Sequence, residues 1–368
     1  MTSPRTDGAQ IGLGPVNRIT DEVALIAHQL GAPHVGLWPA RWREERPGAG
    51  ARWTVAELAD AKRRCEERGL VLEYIGPHNY IRAMLGLPGR DEQIEQCIET
   101  IRSMGAVGIR VLDYFWAPNG AWRTSDTEQL RPGALTNGFD LAEVEAADGV
   151  MRGRMMSREG SYADAYAQVW ELPDDVVVTE DDLWTTYEYF LRAVLPVAEE
   201  AGVLLAVHPS DPPVPMLGGI ARMLRSPAHY RRAMELADSP AWGVLACLGS
   251  ISEMPGGAAN VFEMIDTFGP LGKIGLVHFR DVEGSVPRFR ETFLGEGNYD
   301  PFLVMRRLLE VGYRGVIVED HYPVLEGDTG TADGVLPNVR AKAHAIGTLQ
   351  GLLRAARSSL DEGSLPAS

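Results

Sequence analysis

Short apolar runs of strand length recur along this chain, and between them apolar residues return at helical spacing. The runs at residues 11–16, 34–39, 70–75, 108–116, 204–208, 242–247, 274–278 and 315–323 predict eight strands, the third ending near His78. The intervening periodicity predicts helices at about 20–30, 54–68, 90–104, 185–201, 220–236, 259–268, 301–311 and 338–356. Thr20, Asp21 and Glu22 supply a capping sequence for the first helix, and Gly69 and Gly202 mark the ends of two others. Regular alternation of this kind implies parallel strands joined by right-handed crossovers. Eight repeats favour closure, so the expected fold is α/β, a (β/α)8 TIM barrel, in preference to an open sheet.

One segment breaks the rhythm. Residues 117–182 are far longer than an ordinary connection of roughly 2 to 6 residues, and long loops in compact domains are functional or disordered. Trp122, Arg123, Tyr162, Tyr166 and Trp170 argue for order, so an insertion after the fourth strand that acts as a lid is expected. The whole of 1–368 then reads as a single barrel domain, with a frayed tail at 358–368.

Composition narrows the partners. The 35 Lys and Arg against 51 Asp and Glu give a net charge of −16 with no basic block, which excludes nucleic acid and an anionic membrane surface and leaves a small ligand. No apolar run reaches the roughly 18 residues of a membrane span, and the N-terminus lacks the apolar core of a signal peptide; a cytoplasmic protein is expected. Assembly into a homo-oligomer is compatible with this reading. Cys65, Cys97 and Cys247 form an odd set without paired spacing, and the first two read as ordinary reduced thiols in helices.

The chemistry sits at strand ends. Four successive runs, LLAVH, WGVLAC, IGLVH and GVIVEDHYP, stop on His208, Cys247, His278 and Asp320. In a closed barrel such ends converge on one mouth, so these four side chains can surround one divalent metal; two imidazoles, a thiolate and a carboxylate suit a transition metal, the thiolate leaning toward zinc or iron. A metal there can act as a Lewis acid on a small polar substrate. His321 should face away from Asp320 unless the strand has already ended, in which case it can swing into the mouth as an acid/base. Arg280 and Arg290 are candidates to hold a substrate carboxylate, because the guanidinium fork matches that group.

His208-Pro209-Ser210-Asp211-Pro212-Pro213, Cys247-Leu248-Gly249-Ser250, His278-Phe279-Arg280, Phe289-Arg290-Glu291 and Asp320-His321, in this order, resemble the pattern of the mannonate dehydratases. Trp122-Arg123-Thr124 after the fourth strand and Ala345-Ile346-Gly347 in the last helix are similar as well. The resemblance implies a barrel that uses manganese to dehydrate D-mannonate to 2-keto-3-deoxygluconate. By that resemblance His208, Cys247, His278 and Asp320 are metal ligands, His321 is a catalytic acid/base, and Trp122 and Arg123 join the substrate site.

The chain departs from the pattern at three places. Tyr322 stands where the family has Gly, Arg290 where it has His, and no tyrosine lies between Pro323 and Leu360, where the family carries a catalytic one. Tyr322 is therefore a candidate to supply the absent hydroxyl. The leading expectation is a lyase that takes water from a sugar acid. The alternatives are a metal-dependent sugar isomerase or epimerase and a ligand-binding relative without turnover.

Overall fold

A computed structural model describes residues 8–38, 52–76, 80–146 and 177–362. In chain order it begins β1 (Gln10–Val16), α1 (Asp21–Gln29), β2 (His34–Leu37), α2 (Val55–Glu67), β3 (Val71–Ile75), α3 (Ile81–Leu85), α4 (Arg90–Val107) and β4 (Val111–Phe115). The helices start where the sequence offers caps. Thr20 accepts from the Val23 amide at 3.1 Å, and Thr54 and Glu57 form a reciprocal capping box. The short α3 was not foreseen, and His78 lies outside the described residues.

The insertion follows with β5 (Ser125–Gln129), β6 (Leu135–Asp140) and α5 (Leu141–Ala146). Residues 147–176, which include Tyr162, Tyr166 and Trp170, lie outside the described residues. The chain resumes with α6 (Glu180–Ala201), β7 (Leu204–His208) and a small hairpin of β8 (Met216–Leu217) and β9 (Ile220–Ala221). Then come α7 (Pro227–Ala237), β10 (Trp242–Cys247), α8 (Leu248–Ser252), α9 (Ala258–Phe268) and β11 (Ile274–Phe279). The hairpin of β12 (Asp281–Ser285) and β13 (Arg288–Thr292) precedes α10 (Pro301–Glu310), β14 (Val316–Glu319) and α11 (Val339–Glu362). The helix expected from residue 220 starts at Pro227, because 216–221 form the hairpin and Ser226 caps the helix with Pro227 in its first turn. The last helix runs on to Glu362, through part of the tail expected to fray.

Eight strands close a parallel barrel in the order β1-β14-β11-β10-β7-β4-β3-β2. Its fold is therefore the expected TIM barrel. Tyr74, Ala206, Leu245, Leu276, Val316 and Val318 fill the barrel interior, and a larger core lies between strands and helices. Among the described residues no helix is long and apolar enough to cross a membrane.

A second sheet sits at the mouth. β12 and β13, which leave the barrel directly after β11, pair with β6 and β5 of the insertion in the antiparallel order β12-β13-β6-β5. Trp122, Phe139, Val214, Leu217, Val282 and Phe289 form its own small core. Two segments about 150 residues apart thus build one layer over the strand ends.

Candidate active site

The strand order makes neighbours of the four predicted ligands. His208 ends β7, Cys247 ends β10 opposite His278 of β11, and Asp320 follows the last residue of β14. Ligand atoms of His208, Cys247 and His278 all lie within 4.8 Å of one another, and all three residues are buried. Asp320 adjoins them: its Oδ2 is 3.6 Å from Cys247 Sγ and 3.7 Å from His278 Nδ1.

Each of these side chains except one is oriented from outside. The Phe115 ring stacks on His208 at 4.1 Å, and His208 Nδ1 lies 2.7 Å from the Pro209 carbonyl, which leaves Nε2 for a metal. Ser250 Oγ donates to Cys247 Sγ at 3.2 Å, and Arg280 Nε donates to Asp320 Oδ2 at 3.1 Å. Neither ring nitrogen of His278 makes a hydrogen bond, although the ring is buried. Burial alone would push the Cys247 thiol up, yet the Arg280 guanidinium and His208 hold it well below its ordinary range, as a thiolate. Burial opposes the Asp320 charge as well, but His321, His278 and Arg280 keep the carboxylate ionised. Two imidazoles, a thiolate and an ionised carboxylate around one point, with unpartnered imidazole nitrogens among them, fit a divalent cation.

Behind this cluster lies a buried charge network. Arg123 forks onto Asp211, with NH2 to Oδ2 at 2.9 Å and NH1 to Oδ1, and reaches Glu291 Oε1 through Nε at 3.0 Å and NH2 at 2.8 Å. Arg280 donates to Glu253 Oε1 at 2.9 Å, Asp211 Oδ2 at 2.7 Å and Ser250 Oγ at 2.9 Å. Three carboxylates face two guanidiniums in a dry interior. Two of them ionise: Arg123 and Arg280 outweigh burial and hold Asp211 well below its ordinary range, while His321 and Arg123 bring Glu291 down to about 2. The third does not, since burial and the Asp211 charge raise Glu253 to about 8 despite both arginines.

His321 joins the cluster to the network. Its Nδ1 is 2.7 Å from Glu291 Oε1 and its Nε2 is 3.6 Å from Asp320 Oδ1. β14 has ended at Glu319, so strand alternation does not turn His321 away from Asp320. Burial would lower this imidazole, but Asp320 and Glu291 raise it to about 9. Glu291 in turn receives Asn137 Nδ2 of β6 on its other oxygen at 2.9 Å, so the insertion supplies two of the groups that hold it, Arg123 and Asn137.

Comparison with known proteins decides the family. The family model D-mannonate dehydratase (UxuA) matches residues 36–362. The chain belongs to the mannonate dehydratase family. It is similar to the mannonate dehydratase of Thermotoga neapolitana, 32% identical over 299 residues that cover 76% of this chain and 80% of the relative. Among solved structures it resembles the mannonate dehydratase from Streptococcus suis serotype2, with a TM-score of 0.77, 25% identity and 96% of each chain covered. An L-ribulose 3-epimerase structure, with a TM-score of 0.58 and 15% identity over 98% of this chain and 99% of its own, shares the fold alone.

Within this mannonate dehydratase fold the expected substrate residues take different positions. Arg280 and Arg123 are at the mouth, but the hydrogen bonds above occupy them, and both are buried. Trp122 is a core residue of the second sheet and donates its ring N–H to the Asn119 carbonyl at 2.6 Å. Arg290 faces away: on β13 it alternates with the inward Phe289 and Glu291, pairs with Glu283 at 2.6 Å and lines a cavity of about 290 Å³ on the far face of the sheet. Tyr322 is also directed elsewhere, its ring 5.2 Å from Lys342 Nζ and its hydroxyl 3.5 Å from the Pro337 carbonyl. Lys342 itself pairs with Glu319. Residues that the sequence reading did not assign to the site include Asp211, Glu253, Asn137 and Asp113. Asp211 lay in view within the proline-rich turn after His208, where an acidic residue three positions past a strand end was the available signal.

Proposed function

We propose that this protein is a metal-dependent hydro-lyase that removes water from a sugar acid, converting a mannonate-like aldonate to the 2-keto-3-deoxy acid. The observation that carries the reading is the convergence of His208, Cys247, His278 and Asp320 beside His321, in a chain of the mannonate dehydratase family. A divalent metal held by those four side chains would supply Lewis-acid polarisation of the substrate carboxylate. The ion we favour is Mn²⁺, on the family resemblance; the thiolate also suits zinc or iron, so the test compares them.

Dehydration removes the proton alpha to the carboxylate and expels the neighbouring hydroxyl as water, and the resulting enol becomes the 2-keto acid. One proton leaves and one is delivered. With Nδ1 engaged by Glu291, His321 presents Nε2 toward the metal cluster, where it can move a proton to or from the substrate. Arg123 and Arg280 act behind it, as the cations that keep Asp211, Glu291, Asp320 and Cys247 charged. The described part of the insertion covers the mouth in this reading, supported by the sheet through which β6 brings Asn137 to Glu291. A cytoplasmic location accords with three free, buried cysteines.

The test is to incubate protein loaded with Mn²⁺, Zn²⁺ or Fe²⁺ with a panel of aldonates that includes D-mannonate and to assay 2-keto-3-deoxy acids. Product from one aldonate, abolished by chelation, is the expected result. An epimer or a ketose as the product, or binding without turnover, would overturn it.

A further inference from the structure

Directly beneath the metal cluster the barrel interior holds a carboxylate with no partner. Asp113 is on β4, two residues before the Phe115 that stacks on His208, and in register with Ala206, two residues before His208 itself. It is completely buried, and neither of its oxygens accepts a hydrogen bond. A bare carboxylate in a dry interior costs several kcal/mol unless something answers it.

Two donors in the same interior lack acceptors. One is the ring of His278, with neither nitrogen hydrogen-bonded; the other is the buried hydroxyl of Tyr74 on β3. Among the charges acting on Asp113, that of His278 is the strongest and that of His208 the next; among those acting on Tyr74, Asp113 is the strongest. The accounts close. Once one nitrogen of His278 takes a metal, the other keeps one N–H, Tyr74 has one O–H, and a carboxylate has two oxygens. His208, Cys247 and Asp320 already have outer partners in Pro209, Ser250 and Arg280. His278 is the ligand without one, although metal-bound imidazoles almost always donate their second N–H to a carboxylate, a carbonyl or water.

We propose that Asp113 is a positioning residue of the metal centre, taking the free ring N–H of His278, directly or through one buried water, while the Tyr74 hydroxyl holds its other oxygen. The proposal rests on the metal reading above but on no step of the reaction. Asp113 fixes the plane and tautomer of His278 and places a negative charge behind the imidazole, which strengthens its hold on a cation. It stands two residues before the end of β4, one layer below the strand-end side chains, so it acts through His278.

The experiment measures Mn²⁺ and Zn²⁺ dissociation constants of the full chain by competition with a fluorescent chelator, for wild type, Asp113→Asn and Tyr74→Phe. The melting temperature of each metal-free protein is recorded beside them. Asp113→Asn should weaken metal about 10- to 100-fold, as loss of such outer partners does, while still binding one equivalent at saturation. Tyr74→Phe should weaken it less, in the same direction. The metal-free Asp113→Asn protein should melt at or above the wild-type temperature, because an unanswered buried charge is gone, whereas a packing role would lower melting and leave affinity alone. Affinity within about twofold of wild type in Asp113→Asn overturns the proposal. Loss of the whole equivalent at saturating metal also overturns it, since Asp113 would then be a ligand. If wild type binds metal and turns over no aldonate, the reaction fails and this inference stands; if wild type binds no metal, both fall.

Discussion

Glu291→Gln separates the roles of the charge network most sharply. The side chain is 1% exposed and accepts from His321 Nδ1 at 2.7 Å, Arg123 at 3.0 and 2.8 Å and Asn137 at 2.9 Å. Glutamine keeps the shape and one acceptor oxygen, so the fold is retained; Arg123 still has Asp211, and Asn137 can reverse its amide to meet the new N–H₂. What disappears is the charge that faces His321. A charge-assisted hydrogen bond contributes about 1.5–3 kcal/mol and a neutral one about 0.5–1.5, so His321 is held less firmly by about 1–2 kcal/mol. If that loss is felt at the proton-transfer step, kcat falls roughly 5- to 30-fold, at about 1.4 kcal/mol per tenfold. KM and bound metal should hold near wild type, because Glu291 is not among the predicted ligands. Steady-state kinetics on the active aldonate, with elemental analysis of the same samples, reads all three. A kcat within twofold of wild type at full metal occupancy would refute the argument that Glu291 positions His321, and Glu291→Asp, which restores the charge, should recover part of the rate if the argument holds.

His208→Ala and Asp320→Ala should each carry well below one equivalent of metal; full occupancy of both by elemental analysis would remove the proposed site. The carboxyl of Glu253 lies at about 8 in the fold against an ordinary 4.5. The folded state therefore binds the proton more tightly, the contribution to stability is complete below about pH 4.5, and it is lost as pH rises through 8, with a slope of up to about 1.4 kcal/mol per pH unit. Denaturant midpoints should fall with pH over that window in wild type and fall less in Glu253→Gln; parallel curves would refute the assignment. Arg290→Ala and Tyr322→Phe should keep kcat and KM within about threefold, since both side chains have partners away from the metal cluster. A loss as large as that of His321→Ala would put either one in the reaction.

The barrel was legible because most of its strands are largely buried and read as apolar runs, while most crossover helices carry a cap or a stop. Where the sequence reading slipped, a local pattern yielded to a distant partner. Ile220 and Ala221 belong to an apolar stretch that continues into helical spacing, yet they pair with Met216 and Leu217 and hold the chain extended until Ser226 can cap. The strand Ser125–Gln129 is SDTEQ, with no apolar alternation at all. It forms because β6 binds it, and β6 is bound by β13 from the other side of the chain. No window of 11–18 residues contains that information.

The convergence of His208, Cys247, His278 and Asp320 was legible for a simpler reason: a strand end fixes where a side chain goes, and topology does the rest. The arginines were not, because the chemistry that suits a guanidinium to a substrate carboxylate suits it equally to a protein carboxylate, and only the fold shows which is nearer. Freeing Arg280 for substrate would leave Glu253 Oε1 with only Arg123 at 3.4 Å and Asp320 Oδ2 without its guanidinium donor, each at about 1–3 kcal/mol, and would remove the cation beside Cys247 that keeps its thiol ionised. That cost exceeds what one surface-like contact to a substrate returns. Arg280, which reads as a substrate clamp in the sequence, is thus in the folded chain one of two counter-charges, with Arg123, of a mouth built from acids. In the proposed reaction the grip on an anionic aldonate would then fall to the metal, where the polarisation is also needed.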